Sequence, residues 1–277
     1  MQQVVPSPDK TKTFLQVREP VGVAAIITPW NFPFAMIARK VAAALASGCT
    51  CIIKPSPDTP LSAIAFANLA LRIGVPHGVI NVITTDANLD SVSRTICESP
   101  AVRALSFTGS TRKVLYEQCS QTIKKISLEL GGNAAFVVFD SADVESAVRG
   151  LMAAKFRNAG QACISPNRIF VQSGIYATFV ATLRDKMSQS LFLGDGMSQE
   201  VNTGPLINER QVGRVESLVE DAKENGAKAL LGGKRAAMSS RLFYEPTLLT
   251  DVTPHMQIYK EEIFGPVVPV IKFETEE

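Results

Sequence analysis

Four side chains carry groups that could make and break bonds in concert: the thiol of Cys163, the carboxylate of Glu129, the carboxamide of Asn31 and the ammonium of Lys54. Cys163 lies in KFRNAGQACISPNR, among the small residues Gly160, Ala162 and Ser165 and just after Asn158 and Gln161, so its sulfur is open to close approach by another group such as a carbonyl carbon. Taken singly, each residue has an ordinary reading. A cysteine in a partly apolar segment is most often a small buried hydrophobe, an Asn after Trp30 is most often a turn residue, and a Glu before Gly131-Gly132 is most often a strand terminus. Taken together they describe the oxidation of an aldehyde. A thiolate adds to the carbonyl and gives a tetrahedral thiohemiacetal oxyanion. The carboxamide of Asn31 and the backbone N–H of Cys163 could supply the neutral donors that this anion needs. Loss of hydride to an adjacent nicotinamide leaves a thioester, and Glu129 could activate the water that hydrolyses it.

These groups are far apart in the chain, so the elements between them must bring them together. VGVAAIITP reads as a continuous apolar strand, Val21 to Ile27, of the kind buried on both faces of a parallel sheet. A helix comes next, from near Pro33 to Gly48, then strand CTCIIKP, a helix closed by Gly74, strand GVINVIT, helical residues to Glu98, strand ALSFTG and strand KKISLELGG. This alternation predicts right-handed βαβ units in a doubly wound α/β sheet. Ligands on such sheets sit at the carboxyl ends of the strands. The ends to inspect are Thr28 to Asn31, Lys54 to Pro57, Thr108 to Thr111 and Glu129 to Gly132. The pattern restarts with AAFVVF, a helix from Asp143 through Lys155 with good N-cap chemistry at its start, the Cys163 segment, strand RIFVQ, helices from about 175 to 190 and 209 to 226, and strands around ALLGG, EPTLL and PVVPVIKF. The expected organisation is a polar arm or edge hairpin over 1–20, a dinucleotide-binding domain over 21–131 and a second α/β catalytic domain over 132–277.

Composition narrows the function classes. With 46% apolar residues, 19% charged residues and a net charge of +2, the 277-residue chain can bury a large core and has no basic field that argues for nucleic acid. Five cysteines without a C-x-x-C pair and only two histidines, His77 and His255, favour neither a disulfide framework nor a zinc site. No apolar run is long enough to span a membrane. Small metabolites are the expected partners, with no metal. A cytoplasmic location is expected, with a mitochondrial one left open because a presequence would lie ahead of residue 1.

TPWNFP, IIKPSPDTP, FTGST, SLELGGN, FRNAGQACIS, GPLI and EEIFGPV occur in this order, and on them the chain resembles the aldehyde dehydrogenase superfamily over essentially its whole length, most of all the succinate-semialdehyde dehydrogenases. The resemblance implies that Cys163 is the nucleophile, Glu129 the general base and Asn31 the oxyanion donor. It matches Lys54 to the residue that binds the adenine ribose, Ser110 to the pyrophosphate contact, and Glu262 with Phe264 to the nicotinamide-ribose contacts. Thr28, Trp30, Gly109, Leu130 and Gly131, at the same strand ends, are read as further contacts of an NAD or NADP cofactor. Arg39, eight residues after Asn31, and Arg157, six before Cys163, match arginines that hold a substrate carboxylate, for which a guanidinium fork is well shaped. The implied substrate is therefore a small aldehyde with a distal carboxylate, succinate semialdehyde first and glutarate semialdehyde or a similar aldehyde second. The resemblance also implies homo-oligomers for full-length relatives. A catalytically silent binding or structural protein is the rival reading.

Three departures from the family pattern bear on these expectations. Pro57 stands where many NAD-preferring relatives carry a Glu, so a 2′-phosphate is not repelled and NADP is admitted. FTGSTRKVLYEQC is two residues shorter than the corresponding stretch and lacks its second glycine, which would rotate the succeeding helical residues by about 200° unless the loop absorbs it. The helix from about Lys113 to Thr122 is then expected to start late or to present a different face, with damage to cofactor affinity. Both ends are short relative to the family, and exposed apolar surface is the expected result. Ser165 also replaces the second thiol that permits a redox disulfide in some relatives.

Overall fold

A computed structural model describes residues 2–110 and 112–276. Thr111, which belongs to the shortened stretch, lies outside the described residues. The chain forms two compact units, Met1–Leu130 and Gly131–Glu277.

The first unit begins with an antiparallel hairpin of β1 (Gln2–Val5) and β2 (Phe14–Val17), the latter exposed at all of its residues. Next come β3 (Val23–Ile27), α1 (Pro33–Ala46), β4 (Thr50–Lys54), α2 (Pro60–Arg72), β5 (Ile80–Val82), α3 (Leu89–Glu98), β6 (Val102–Gly109), α4 (Arg112–Cys119) and β7 (Lys125–Leu130). The strands form one parallel sheet in the order β5-β4-β3-β6-β7. Strand alternation sends successive side chains to opposite faces. Ala25 and Ile27 accordingly pack with Ile96, Leu105 and Leu115 under α3 and α4, while Ile26 packs with Ile37, Val41 and Ala63 under α1 and α2. Helices on both faces make this the doubly wound fold that the sequence pattern predicts.

Two local differences from the sequence pattern have physical causes. β3 starts at Val23 and not at Val21, because Gly22 takes φ +114°, a backbone state outside the strand region. α4 begins at Arg112, so the shortened stretch does not delay the helix; Leu115 and Cys119, four residues apart, are buried.

The second unit runs β8 (Ala135–Val138), α5 (Val144–Lys155), a 3-10 turn (Arg157–Gly160), β9 (Arg168–Gln172), α6 (Tyr176–Ser190), α7 (Glu209–Glu224), β10 (Lys228–Leu231), β11 (Thr247–Thr250), α8 (Gln257–Lys260) and β12 (Val267–Phe273). Its sheet order is β10-β11-β12-β9-β8, parallel except for the edge pair β10 and β11. Asp143 caps α5, its carboxylate accepting from the backbone N–H of Ser146 at 2.8 Å. Leu151, Phe179 and Leu183 fill one side of the sheet; Val215, Val219 and Ile263 fill the other. No helix of the described residues is long and apolar enough to cross a membrane.

Candidate active site

In the first unit the candidate residues lie along the carboxyl edge of the parallel sheet. Lys54, Ile27, Phe107 and Leu128 stand level across β4, β3, β6 and β7. One residue further along come Thr28 and Glu129, and Gly109 pairs with Leu130 beyond them. The strand order reverses between β3 and β6, where chain connections diverge and leave a crevice. Thr28 is joined to β4 by its backbone N–H, which donates to the carbonyl of Lys54 at 3.2 Å. Asn31 is buried and Trp30 half-buried in the turn before α1. Ser110 is exposed, as is Glu129 at the end of the edge strand, and Arg39 is exposed on α1.

Lys54 is only 4% exposed, and its ammonium donates to the carbonyl of Pro55 at 2.8 Å. Burial holds its pKa below the ordinary lysine value, with the Asp86 carboxylate pulling the other way. Beside it, Thr28 is as deeply buried, and its hydroxyl meets no protein partner. A buried hydroxyl left open at a switch point, next to a buried cation, suits a ligand that presents hydroxyl groups, and the ribose of a dinucleotide fits that description. Gly109, at φ +155°, belongs to the same edge; a Cβ there would stand 2.6 Å from the Phe107 ring, so the backbone must stay bare.

The second unit holds Cys163, Arg157, Gly131, Glu262 and Phe264. Cys163 is partly accessible, while the other four thiols are buried. Arg157 is exposed at the start of the turn before it. Asn158, Ala159 and Gly160 all take positive φ, a left-handed turn that costs a non-glycine residue about 1 kcal/mol or more. Polar bonds hold it. The carboxamide of Gln161 donates to the carbonyls of Asn158 (3.1 Å) and Pro205 (3.4 Å) and accepts from the N–H of Ile207 at 3.0 Å. The GPLI motif is thus a strut for the cysteine loop. On its other side the loop meets the EEIFGP segment, for a Cβ on Gly160 would collide with the carbonyl of Gly265.

That segment carries Glu262 and Phe264, and Phe264 is again left-handed, at φ +56°. Asn167, four residues after Cys163, fastens it: its carboxamide donates to the carbonyl of Glu261 (2.8 Å) and to the side-chain oxygen of Asn133 (2.7 Å) and accepts from the N–H of Ile263 (2.8 Å). Gln211 on α7 donates to the carbonyls of Ile263 and Phe264. Gly131 completes the group, since a Cβ there would run into the Glu262 carboxylate.

Sequence motifs assign no role to Gln161 or Asn167, and none to Lys40. On α1 the ammonium of Lys40 donates to the hydroxyl of Ser106 on β6 at 2.8 Å. Burial lowers its pKa; the Glu129 carboxylate opposes that and the Arg39 guanidinium adds to it. One signal for Lys40 is present in the sequence. It comes four residues after Met36 and three after Ile37, which puts a cation on the apolar face of the helix.

A doubly wound parallel α/β unit followed by a second α/β unit with one accessible thiol is an architecture open to enzymes of the α/β class, and comparison with known proteins gives the family. The model of the aldehyde dehydrogenase family matches residues 1–277, and the chain belongs to that family. Among its relatives, the mitochondrial succinate-semialdehyde dehydrogenase of Homo sapiens is 50% identical over 277 residues, covering 99% of this chain and 52% of the relative. The NADP-dependent succinate-semialdehyde dehydrogenase GabD of Escherichia coli strain K12 is 48% identical over 274 residues, covering 98% and 56%. The crystal structure of succinate-semialdehyde dehydrogenase from Burkholderia pseudomallei superposes with a TM-score of 0.96 at 48% identity, covering 100% of this chain and 57% of that one. The chain spans about half the length of the curated relatives it matches.

Proposed function

We propose that the chain serves the oxidation of succinate semialdehyde to succinate with NAD or NADP, Cys163 acting as nucleophile. The observation that carries this reading is the accessibility of one thiol out of five, on a loop whose surrounding carboxamides are already committed to holding it. The names of the relatives support the substrate, and the exposed guanidinium groups of Arg39 and Arg157 suit its distal carboxylate.

In this reading the Cys163 thiolate forms a C–S bond to the aldehyde carbon, and the carbonyl electrons move to oxygen. The carboxamide of Asn31 donates to that oxyanion. A nicotinamide dinucleotide, when bound, accepts the hydride that leaves as the thioester forms. Glu129 then takes a proton from water, whose oxygen attacks the thioester and releases succinate and the free thiol. Lys40, whose ammonium donates to Ser106 at 2.8 Å, interacts electrostatically with the Glu129 carboxylate and adds a cation to this part of the edge. The residues assigned to the cofactor in this reading are Thr28, Trp30, Lys54, Gly109, Ser110, Leu130, Gly131, Glu262 and Phe264.

The test is NAD(P)H absorbance at 340 nm on adding succinate semialdehyde, run with each cofactor, for the chain and for Cys163→Ser. Turnover that falls by about a thousandfold or more in the variant supports the reading. A folded chain that gives no NAD(P)H with either cofactor overturns it in favour of a silent member of the family.

A further inference from the structure

Lys155 is the last residue of α5 and is 1% exposed. It comes four residues after Leu151 and seven after Val148, so the helix points it into the core. A lysine there is expensive to bury and does nothing for packing that a methionine would not do. Its contacts show what it does instead. The side-chain nitrogen donates to the carbonyl of Pro166 at 2.9 Å, and its own backbone carbonyl accepts from the hydroxyl of Ser165 at 3.3 Å. Both bonds cross the neck of the loop 156–166, and Cys163 lies two residues before Ser165.

We propose that Lys155 is a positioning residue for Cys163: its buried amine fastens the loop across its neck, so that opening the loop exposes the amine to water. The proposal takes its meaning from the reading of Cys163 as nucleophile, but its test uses neither substrate nor cofactor.

The sign of the proton linkage is set by the burial. Desolvation pushes the Lys155 amine down from the ordinary lysine value of 10.5 to about 7, with the Glu262 carboxylate opposing the change. Of the other charged groups on the surrounding elements, Glu145 and Arg149 on α5, Arg157 at the start of the loop, Arg184, Asp185 and Lys186 on α6, Arg214 on α7 and Glu261 beside Glu262 are exposed, and Arg168 on β9 is half-buried, its guanidinium donating to the carbonyl of Asn133 at 2.8 Å. Cys163 is the remaining titratable group of the loop. When the neck opens, water reaches the amine and its pKa returns toward the ordinary value. Below pH 7 both closed and open forms carry the proton and opening does not depend on pH. Above pH 7 the closed form is neutral and the open form charged, so each further unit of pH disfavours opening by about tenfold. The loop tightens as pH rises.

Amide hydrogen exchange of the peptide spanning 156–166, corrected for intrinsic exchange at pH 6, 7, 8 and 9, reads this directly. The expected result for the unmodified chain is protection that is flat to about pH 7 and rises about tenfold per unit beyond. Lys155→Met should flatten the profile, and Ser165→Ala should lower protection about threefold while keeping the slope. Flat protection from pH 6 to 9 in the unmodified chain, or the same slope in Lys155→Met, overturns the proposal. If Lys155→Met does not fold, the profiles of the unmodified chain and of Ser165→Ala decide it alone.

Discussion

At the carboxyl edge of the first sheet, Lys54, Thr28, Gly109 and Glu129 take their places from strand register, so apolar packing several residues away fixes them. Cys163 takes its place from carboxamides and an amine bonded to main chain, in a segment with left-handed backbone and no ladder. The polar groups of the edge are carried by the fold; those of the loop carry it. Substitutions in the two regions should therefore differ in sign as well as in size.

The largest effect is expected at Gly160. In Gly160→Ala the new methyl meets the Gly265 carbonyl at φ +75°, and urea unfolding of the second unit should shift by about 3 kcal/mol or more. Gly74, at φ +94° with open space around it, is the control in the first unit: Gly74→Ala should cost about 1 kcal/mol. Equal losses would mean that the close approach to Gly265 does not constrain the loop. Next comes Gln161→Ala, which frees the N–H of Ile207 and two carbonyls and should cost about 2 kcal/mol in the same measurement.

Pro57→Glu, on the exposed turn after Lys54, should weaken NADP binding about tenfold relative to NAD in a fluorescence titration, because a carboxylate there repels a 2′-phosphate. An unchanged ratio would place nucleotide selection elsewhere. The smallest effect carries the opposite sign. Lys54→Met removes a buried cation and should raise the unfolding free energy of the first unit by about 1 kcal/mol while weakening cofactor binding. A loss of stability there would show that the edge also depends on its polar groups.

Legibility in the residues alone divides the molecule the same way. β3, β4 and β6 announce themselves as apolar runs between glycines and prolines, and the helices between them dictate a doubly wound sheet, so the level of Lys54 or Glu129 is settled once the strands are found. Gln161 and Asn167 give no comparable signal, because a carboxamide in a loop looks alike whether it braces two segments or faces water. Besides Asn158 three residues back, Gln161 bonds to 205 and 207, more than forty residues on, and the partners of Asn167, at 133, 261 and 263, lie more than thirty residues to either side. Lys40 and Lys155 are legible in principle, each a cation on the apolar stripe of its helix. Motif spacing names Cys163 but not the groups that support it.

The burial of Cys49, Cys51, Cys97 and Cys119 has a practical side. Toward thiol-directed reagents the folded polypeptide offers one accessible thiol, so a mercury derivative for phasing, a maleimide dye or a thiol resin would attach at a unique cysteine without prior cysteine removal. The same attachment point sits where the chemistry is expected, so whatever is tethered there also blocks it.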